Sequence, residues 1–309
     1  MIGVYGANGF IGRHLVRRLA RDGFKVRAIS RHFSENFLEE HLPGVEFVRA
    51  DFRDPLAMAP TLEGVEVVVQ LISTSSPGLQ NRFNVTDLNE NVIPHVSFLQ
   101  SAVDAKVGRY IFLSSGGTVY GPSAPTPIRE DAPTNPISSH GLTKLIIEKY
   151  IQMHGMVDAL DYVVLRVSNP FGPGQVFRKG QGLIPAVLAR QAQGLPVQII
   201  GDGGARRDYI YICDLVDALL AAISRPEASR TIVNIGSGEG RSVLEVVDAI
   251  ERALGRDLPR EHLGSRKTDV DTNVLSIDRA RTALGWFPKT DFDKGLALTV
   301  RAFTAQEMV

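Results

Sequence analysis

The chain has 309 residues, of which 44% are hydrophobic and 22% are charged, and 34 Lys and Arg residues balance 34 Asp and Glu residues. This composition is typical of a soluble globular protein of about two domains. No basic run or long apolar run indicates nucleic acid or a membrane as a partner. A single cysteine, Cys213, excludes an intramolecular disulfide framework. We expect a cytoplasmic protein in which Cys213 is a small buried side chain and not a nucleophile.

Short β-branched runs alternate with helical patterns through the first half of the chain. The predicted strands are IGVY (2–5), KVRAIS (25–30), VEFVRA (45–50), VEVVVQLI (65–72), RYIFLSS (109–115) and DYVVLRV (161–167). Strands that alternate with helices predict a parallel sheet covered by helices on both faces. Nearly continuous apolar strands are typical of that burial.

The pattern changes after Arg166. A Gly/Pro-rich loop, NPFGPGQVFRKGQG (169–182), is followed by a helix, by strand-like segments around the loop GDGGA, by a further strand, turn and helix, and by a closing helix. We predict a first domain over 1–166 and a smaller, irregular domain over 167–309. The chain is expected to return to the first sheet at about 209–236.

The motif GANGFIG supplies Gly6, Gly9 and Gly12 between the first strand and the first helix, with Phe10 and Ile11 inside it. Glycines there allow a tight turn and close approach of backbone N–H groups to a pyrophosphate, whose charge the helix N-terminus favours. The spacing alone is weak support. With a strand before it and a helix after it, the motif predicts dinucleotide binding.

The residue at the end of the second strand indicates which nicotinamide cofactor fits. NAD sites usually carry Asp or Glu there, whereas this chain has Ser30 followed by Arg31. A hydroxyl and a guanidinium suit a 2′-phosphate, so NADP is slightly favoured over NAD; the alternative is that both side chains face solvent. After the third strand, Asp51 and Phe52 lie where an adenine is met, although a solvated turn would look the same.

Seven segments carry a resemblance to a known family. They are GANGFIG (6–12), LSSGGTVYG (113–121), the Lys144 helix SSHGLTKLIIEKY (138–150), LRVSNPFGPG (165–174), GDGGARRDYIYICDLVDAL (201–219), NIGSGEGRSVLEVV (234–247) and RARTALGWFP (279–288). In this order they resemble the nucleotide-sugar epimerase/dehydratase family of extended short-chain dehydrogenase/reductases. The resemblance implies a Rossmann-type doubly wound parallel sheet with a smaller C-terminal substrate domain, and a homodimer formed through a bundle of helices.

The resemblance also implies which residues bind a nucleotide-diphosphate sugar. Asn169 matches an asparagine beside the diphosphate, Arg207 and Arg266 match its arginines, and Asp269 matches a carboxylate that accompanies a ribose. Two guanidiniums also suit a diphosphate on chemical grounds, because they form bidentate, charge-assisted hydrogen bonds. The alternative is that these arginines form surface salt bridges.

The catalytic centre departs from the family pattern. The family places Tyr four residues before Lys, whereas this chain has His140 before Lys144, and the usual Ser or Thr before VYG is Gly116. A neutral imidazole can take the proton instead of a tyrosinate, since its ordinary pKa of about 6.5 lies near working pH. Thr118 or Ser115 could supply the missing hydroxyl. Otherwise the site binds its ligands without turnover.

We therefore expect an NAD(P)-dependent nucleotide-sugar epimerase or 4-keto reductase that acts by reversible hydride transfer at a sugar carbon. Lys144 would hold the nicotinamide ribose. A dehydratase is disfavoured, because the family's Asp-Glu pair before VYG is replaced by Gly117 and Thr118. The alternative from another class is a catalytically silent member that binds NADP(H) and a sugar nucleotide as a sensor or regulator. No metal site is expected.

Overall fold

The computed structural model describes residues 1–75, 84–122, 124–177, 182–264 and 270–307. Its strands are β1 (Ile2–Tyr5), β2 (Val26–Ser30), β3 (Val45–Arg49), β4 (Val67–Gln70), β5 (Arg109–Ser115), β6 (Tyr162–Val167), β7 (Asn169–Phe171), β8 (Val197–Ile200), β9 (Arg206–Tyr211), β10 (Thr231–Ile235), β11 (Gly240–Ser242), β12 (Arg260–Leu263) and β13 (Thr272–Asn273). Its helices are α1 (Phe10–Arg21), α2 (Glu35–Leu38), α3 (Pro55–Met58), α4 (Asn84–Asp87), α5 (Ile93–Asp104), α6 (Ser139–Val157), α7 (Leu183–Ala192), α8 (Ile212–Ser224), α9 (Val243–Leu254), α10 (Asp278–Ala283) and α11 (Phe292–Glu307).

The main sheet has seven parallel strands in the order β10-β6-β5-β4-β1-β2-β3. Alternate side chains of each strand enter different cores, because successive residues point to opposite faces. In β1, Val4 joins the core that includes α1 and α8, whereas Tyr5 joins the core that includes α5 and α6. The predicted α/β fold, a parallel sheet with helices on both faces, is confirmed.

Two smaller sheets follow the main one along the chain. β9 pairs with β11, β13 and β7, and β8 pairs with β12. Helix α9 begins with a capping box between Ser242 and Glu245 and ends at Gly255 in the left-handed conformation (φ 68°), so its bounds follow from local sequence. β10 returns to the main sheet beside β6.

The strand order places a ligand crevice between β1 and β4. In doubly wound sheets, ligands bind at the carboxyl ends of the strands where the order reverses, because the connections there leave in opposite directions. Here β1 has β2 on one side and β4 on the other. The loops after β1, β4 and β5 therefore surround the crevice.

The expectation that Cys213 is buried is wrong: the side chain is exposed in the first turn of α8. A helix that begins at the edge of the apolar core turns some of its first residues outward, and hydrophobic periodicity alone did not identify Cys213 as one of them.

Within the described residues, every helix is too short or too polar to span a bilayer.

Candidate active site

The glycine loop between β1 and α1 forms a tight backbone cradle. Gly6 has φ +88°, a conformation that L side chains rarely adopt, and a Cβ at Gly12 would overlap the Gly6 carbonyl oxygen. The N-cap of α1 is Gly9, which has no side chain to accept from the first N–H groups of the helix. These N–H groups suit the pyrophosphate of a dinucleotide, so the residues present fit this cofactor. Phe10 and Ile11 are half-buried in the same first turn.

The ends of β2 and β3 lie where the adenosine side of a dinucleotide would bind. Ser30 is half-buried, and Arg31 is exposed and close enough to Asp51 to lower its pKa. The main cause of that lowering, to about 2, is a hydrogen bond from Arg53, whose Nη2 donates to Asp51 over 2.7 Å. The ring of Phe52 is buried in the core beside His95, so only the backbone of Phe52 remains for an adenine.

The start of α6 is fixed by short-range contacts. Ser138 caps the helix by accepting from the Gly141 N–H at 3.1 Å. A Cβ on Gly141 would lie 2.6 Å from the Thr118 carbonyl oxygen, so only glycine lets α6 approach the loop after β5 this closely. The first turns of α6 carry His140 and Lys144, and both side chains are buried, at 7% and 6% exposure.

His140 is a neutral imidazole at physiological pH. Burial and the nearby Lys144 cation lower its pKa to about 3. Its Nδ1 lies 2.8 Å from Oγ of Ser75, in the loop after β4. The Ser75 backbone also forms a hydrogen bond with the ring, which acts to raise that pKa. Ser75 thus holds Nδ1, and Nε2 is the candidate nitrogen for exchange of a proton.

Lys144 is buried one helical turn beyond His140. Its Nζ donates to the Leu113 carbonyl oxygen at 2.8 Å and lies 4.8 Å from the centroid of the Phe112 ring. Burial lowers the pKa of Lys144 to about 8, while the Glu148 carboxylate acts to raise it. The amine is therefore mostly protonated at neutral pH. A cation at this point can bind a ribose hydroxyl and keep His140 neutral.

A buried charge network lies beneath Lys144, and sequence reasoning missed it. Glu148 is fully buried, accepts from Ser114 and pairs with Arg166, whose Nη2 lies 2.7 Å from its carboxylate. Arg166 also lies over the Tyr120 ring, at 4.9 Å from the centroid. The sequence pattern that could have revealed this network is the spacing of Lys144 and Glu148, which are four residues apart on one helix. The network connects α6 to β5 and β6 beneath the site.

The loop after β5 carries a hydroxyl at position 118 and is crowded at position 116. A Cβ on Gly116 would lie 2.6 Å from the end of the Leu275 side chain and 3.0 Å from the Arg166 carbonyl oxygen, so a serine there requires these neighbours to shift. β5 ends at Ser115, and Thr118 lies in the following turn. Its Oγ1 is buried and has no hydrogen-bond partner among the described residues. Ser115 is half-buried.

The predicted substrate residues come from β7 and β9. Asn169 pairs with Tyr209 in the small sheet, and its Nδ2 donates to the Asp208 carbonyl oxygen at 2.8 Å. Arg207 lies opposite Arg241 of β11, which itself pairs with Glu239 at 3.4 Å. Both Asn169 and Arg207 are half-buried. The predicted residues Arg266 and Asp269 lie outside the described residues.

Comparison with known proteins identifies the family. The NAD dependent epimerase/dehydratase family matches residues 2–236. A dTDP-4-dehydro-6-deoxyglucose reductase from Escherichia coli is 34% identical over 305 residues, which cover 97% of this chain and 96% of the relative. UDP-glucose 4-epimerase from Thermotoga maritima, solved with UDP-glucose, has a TM-score of 0.92 at 30% identity and 99% coverage of both chains. The enzyme from Thermus thermophilus, solved with NAD, has a TM-score of 0.88 at 30% identity and 98% coverage of both.

The chain therefore belongs to the NAD dependent epimerase/dehydratase family. The family predicted from the sequence is confirmed. The predicted class of enzyme, an NAD-dependent nucleotide-sugar epimerase or reductase, is confirmed by relatives of both kinds. The alternative of a catalytically silent sensor is not favoured.

Proposed function

We propose that this protein is a nucleotide-sugar 4-epimerase in which His140 replaces the family's tyrosine as acid and base. The observation that supports the proposal best is the buried pair at the start of α6, a neutral imidazole with one ring nitrogen held by Ser75 and a lysine one turn away. A bound nicotinamide dinucleotide would supply the hydride acceptor. The side chains then need only move one proton and hold the reactants in place.

The proton has a defined path in this proposal. Nε2 of His140 accepts the proton of the sugar hydroxyl as the carbon beside it is oxidised, and the same nitrogen returns the proton when the keto group is reduced. Thr118 Oγ1, buried and lacking a partner in the described chain, donates to the sugar oxygen. Lys144 binds the nicotinamide ribose, and its charge favours the neutral form of His140.

The relatives favour the epimerase over the 4-keto reductase. UDP-glucose 4-epimerases from Thermotoga maritima and Thermus thermophilus share nearly the whole fold with this chain, while the reductase from Escherichia coli supports the alternative. An epimerase takes a proton from its substrate and returns it, so its cycle needs no net proton from solvent.

The substrate class proposed is a nucleoside diphosphate sugar. Asn169 and Arg207 lie on neighbouring strands of one small sheet, where an amide and a guanidinium can bind a diphosphate. The relative solved with UDP-glucose supports this class. Arg266 and Asp269 remain predictions as diphosphate and ribose contacts.

The cofactor proposed is NADP(H), with NAD(H) as the alternative. Ser30 ends β2 where a carboxylate would select NAD, and the exposed guanidinium of Arg31 can approach a 2′-phosphate. The Thermus thermophilus structure with NAD supports the alternative. Calorimetric titration of the apoprotein with each dinucleotide decides between them: equal or tighter NADP(H) binding agrees with the proposal, and exclusive NAD(H) binding contradicts it.

We also propose a cytoplasmic homodimer. Helix α6 and the segment before and at the start of α5 expose apolar side chains, which favour burial against a second copy. These are Val85, Leu88, Ile93, Leu142, Tyr150, Met153, Met156 and Val157.

The proposed cytoplasmic location is supported by the single cysteine, which suits a reducing compartment.

Cofactor spectroscopy tests the proposed activity. Purified protein with oxidised cofactor is mixed with UDP-, GDP- and dTDP-sugars, and absorbance of the reduced nicotinamide is followed together with the ratio of C4 epimers. Transient reduction with interconversion of the epimers agrees with an epimerase. Consumption of reduced cofactor with a 4-keto sugar and no epimer interconversion would instead identify the reductase.

A further inference from the structure

Ser75 is a buried polar residue that belongs to none of the recognised motifs. It lies in the loop after β4, and its Oγ is 2.8 Å from Nδ1 of His140. Both residues are almost fully buried, at 6% and 7% exposure. The two residues are 65 positions apart in the chain, so the contact arises only from the fold.

The loop that carries Ser75 is held in place by other side chains. Gln70 accepts from the Ile72 N–H at 2.8 Å. Asn91, itself buried, forms two hydrogen bonds of 2.9 Å with Thr74: its Oδ1 accepts from the Thr74 N–H, and its Nδ2 donates to Thr74 Oγ1. The residue before Ser75 is therefore anchored independently of His140. The fold presents the Ser75 hydroxyl to the imidazole, whichever proton arrangement the ring adopts.

The direction of this hydrogen bond decides what His140 can do. If Ser75 donates to Nδ1, the neutral ring carries its proton on Nε2 and cannot accept another there. If Nδ1–H donates to Ser75, Nε2 has a free lone pair. Ser73 provides an acceptor for the second arrangement: its Oγ lies 3.3 Å from Ser75 Oγ, and either hydroxyl can donate to the other.

An accepting Ser75 also suits both protonation states of the ring. Neutral imidazole with Nδ1–H and imidazolium both donate from Nδ1, so the hydroxyl need not turn when Nε2 gains or loses a proton. Preorganised partners of this kind lower the reorganisation that accompanies a reaction. A donating hydroxyl would have to rotate in every cycle.

We infer that Ser75 is a positioning residue that holds His140 as the Nδ1–H tautomer, so that Nε2 receives the proton of the sugar hydroxyl. This inference rests on the proposed role of His140 as acid and base. In the step, the O–H bond of the sugar hydroxyl breaks and an Nε2–H bond forms. A bound oxidised nicotinamide cofactor would accept the hydride from the carbon that carries this hydroxyl. The reverse transfer restores neutral His140, and Ser75 exchanges no proton with substrate.

Nitrogen NMR of the ligand-free protein tests the tautomer directly. In protein labelled with ¹⁵N-histidine, long-range proton–nitrogen correlations distinguish a protonated Nδ1 from a protonated Nε2, and the His140→Phe variant assigns the signals. Wild type is expected to show protonated Nδ1. The Ser75→Ala variant is expected to shift His140 toward the Nε2–H form, and Ser75→Thr is expected to restore the wild-type pattern. Wild-type protein with protonated Nε2 would overturn the inference.

Kinetics supply a second, separate readout. We expect Ser75→Ala to lower kcat about tenfold, a part of the roughly 10²–10⁴ that general acid–base catalysis contributes, with KM little changed. Ser75→Thr should recover most of the loss. The matched control is Thr299→Val, which removes a hydroxyl of similar burial (5% exposed) from α11 and should leave kcat unchanged.

The two readouts separate this inference from the proposed function. If no sugar nucleotide is turned over by wild type, the proposed function fails, and the tautomer signals of wild type and Ser75→Ala still decide the role of Ser75. If wild type is active but Ser75→Ala leaves both the tautomer and kcat unchanged, the inference fails and the proposed function stands.

Discussion

The glycine loop after β1 and the residues around the start of α6 (Ser75, Thr118 and His140, called the α6 site) lie at the same edge of one sheet but are built in different ways. The loop is made of contiguous residues, and steric limits on its backbone require glycine at two positions. Gly6 has a positive φ, and Gly12 has no space for a Cβ. The α6 site takes its residues from separate segments: Ser75 contacts His140 from the loop after β4, and Thr118, in the loop after β5, lies against Gly141. A local steric constraint leaves a readable sequence pattern, whereas an assembled set of side chains leaves none.

The largest effect is expected where the backbone constraint is tightest. Gly12→Ala would place a methyl group against the Gly6 carbonyl oxygen and the Ala7 backbone, which cannot move without disturbing β1. We expect a loss of about 3 kcal/mol in the free energy of unfolding, at the upper end for overpacking, and loss of dinucleotide binding. Urea unfolding and calorimetry measure the two effects. Gly264→Ala is the control, because its Cβ would meet no atom of the described residues within 4 Å. Wild-type behaviour of Gly12→Ala would remove the steric argument.

The same difference explains how much could be predicted from the sequence. The parallel sheet and the cofactor loop could be predicted, because hydrophobic period and glycine spacing are local. His140 and Lys144 could be placed on one helix by their spacing. The contact between Ser75 and His140, the burial of the Phe52 ring and the Glu148–Arg166 pair could not, since each depends on how distant segments pack.

At the α6 site, a change of His140 is expected to affect the catalytic rate and not stability or binding. His140→Phe removes the acid and base, so we expect kcat to fall by roughly 10² or more while substrate and cofactor dissociation constants change little. His140→Tyr should retain or raise activity, because it restores the family's tyrosine beside Lys144. Steady-state kinetics and calorimetry on both variants check this. Full activity of His140→Phe would mean that the acid and base lie elsewhere; activity only in His140→Tyr would mean that histidine marks a lost function.

Substrate affinity should be separable from both regions. Arg207→Ala is expected to weaken nucleotide-sugar binding by about 2 kcal/mol, since a charge-assisted hydrogen bond to the diphosphate is lost. Cofactor affinity should stay the same. Calorimetry with a UDP-sugar and with the dinucleotide measures the two. Arg252→Ala, which removes an exposed guanidinium from α9, is a control of equal charge change; equal losses in both variants would point to general electrostatics instead of a contact.

Variants of Thr118 test whether its hydroxyl takes part in the reaction at the α6 site. Its Oγ1 is buried and has no partner in the described part of the chain, so Thr118→Val should cost little stability in the absence of substrate. If the hydroxyl donates to the reacting oxygen, kcat should fall about tenfold, in line with one hydrogen bond of roughly 1.4 kcal/mol. Thr118→Ser, which keeps the hydroxyl, should be nearly as active as wild type. An unchanged rate in Thr118→Val would leave Ser115 as the candidate donor.

The smallest effect expected is on the pH dependence of kcat, which distinguishes a buried His140 from a solvated one. A solvated histidine would protonate near pH 6.5 and lose activity below it, but the pKa of His140 is lowered to about 3 by burial and by Lys144. We therefore expect kcat to be flat between about pH 7.5 and pH 5, because the imidazole stays neutral throughout. On the alkaline side the pKa of Lys144, lowered by burial to about 8, predicts a decline as the cation deprotonates. In Lys144→Arg the charge persists to higher pH, so the alkaline decline should disappear even if the absolute rate is lower. A fall in kcat near pH 6.5 would show that His140 is solvated during turnover, and an alkaline limb that persists in Lys144→Arg would assign it to another group.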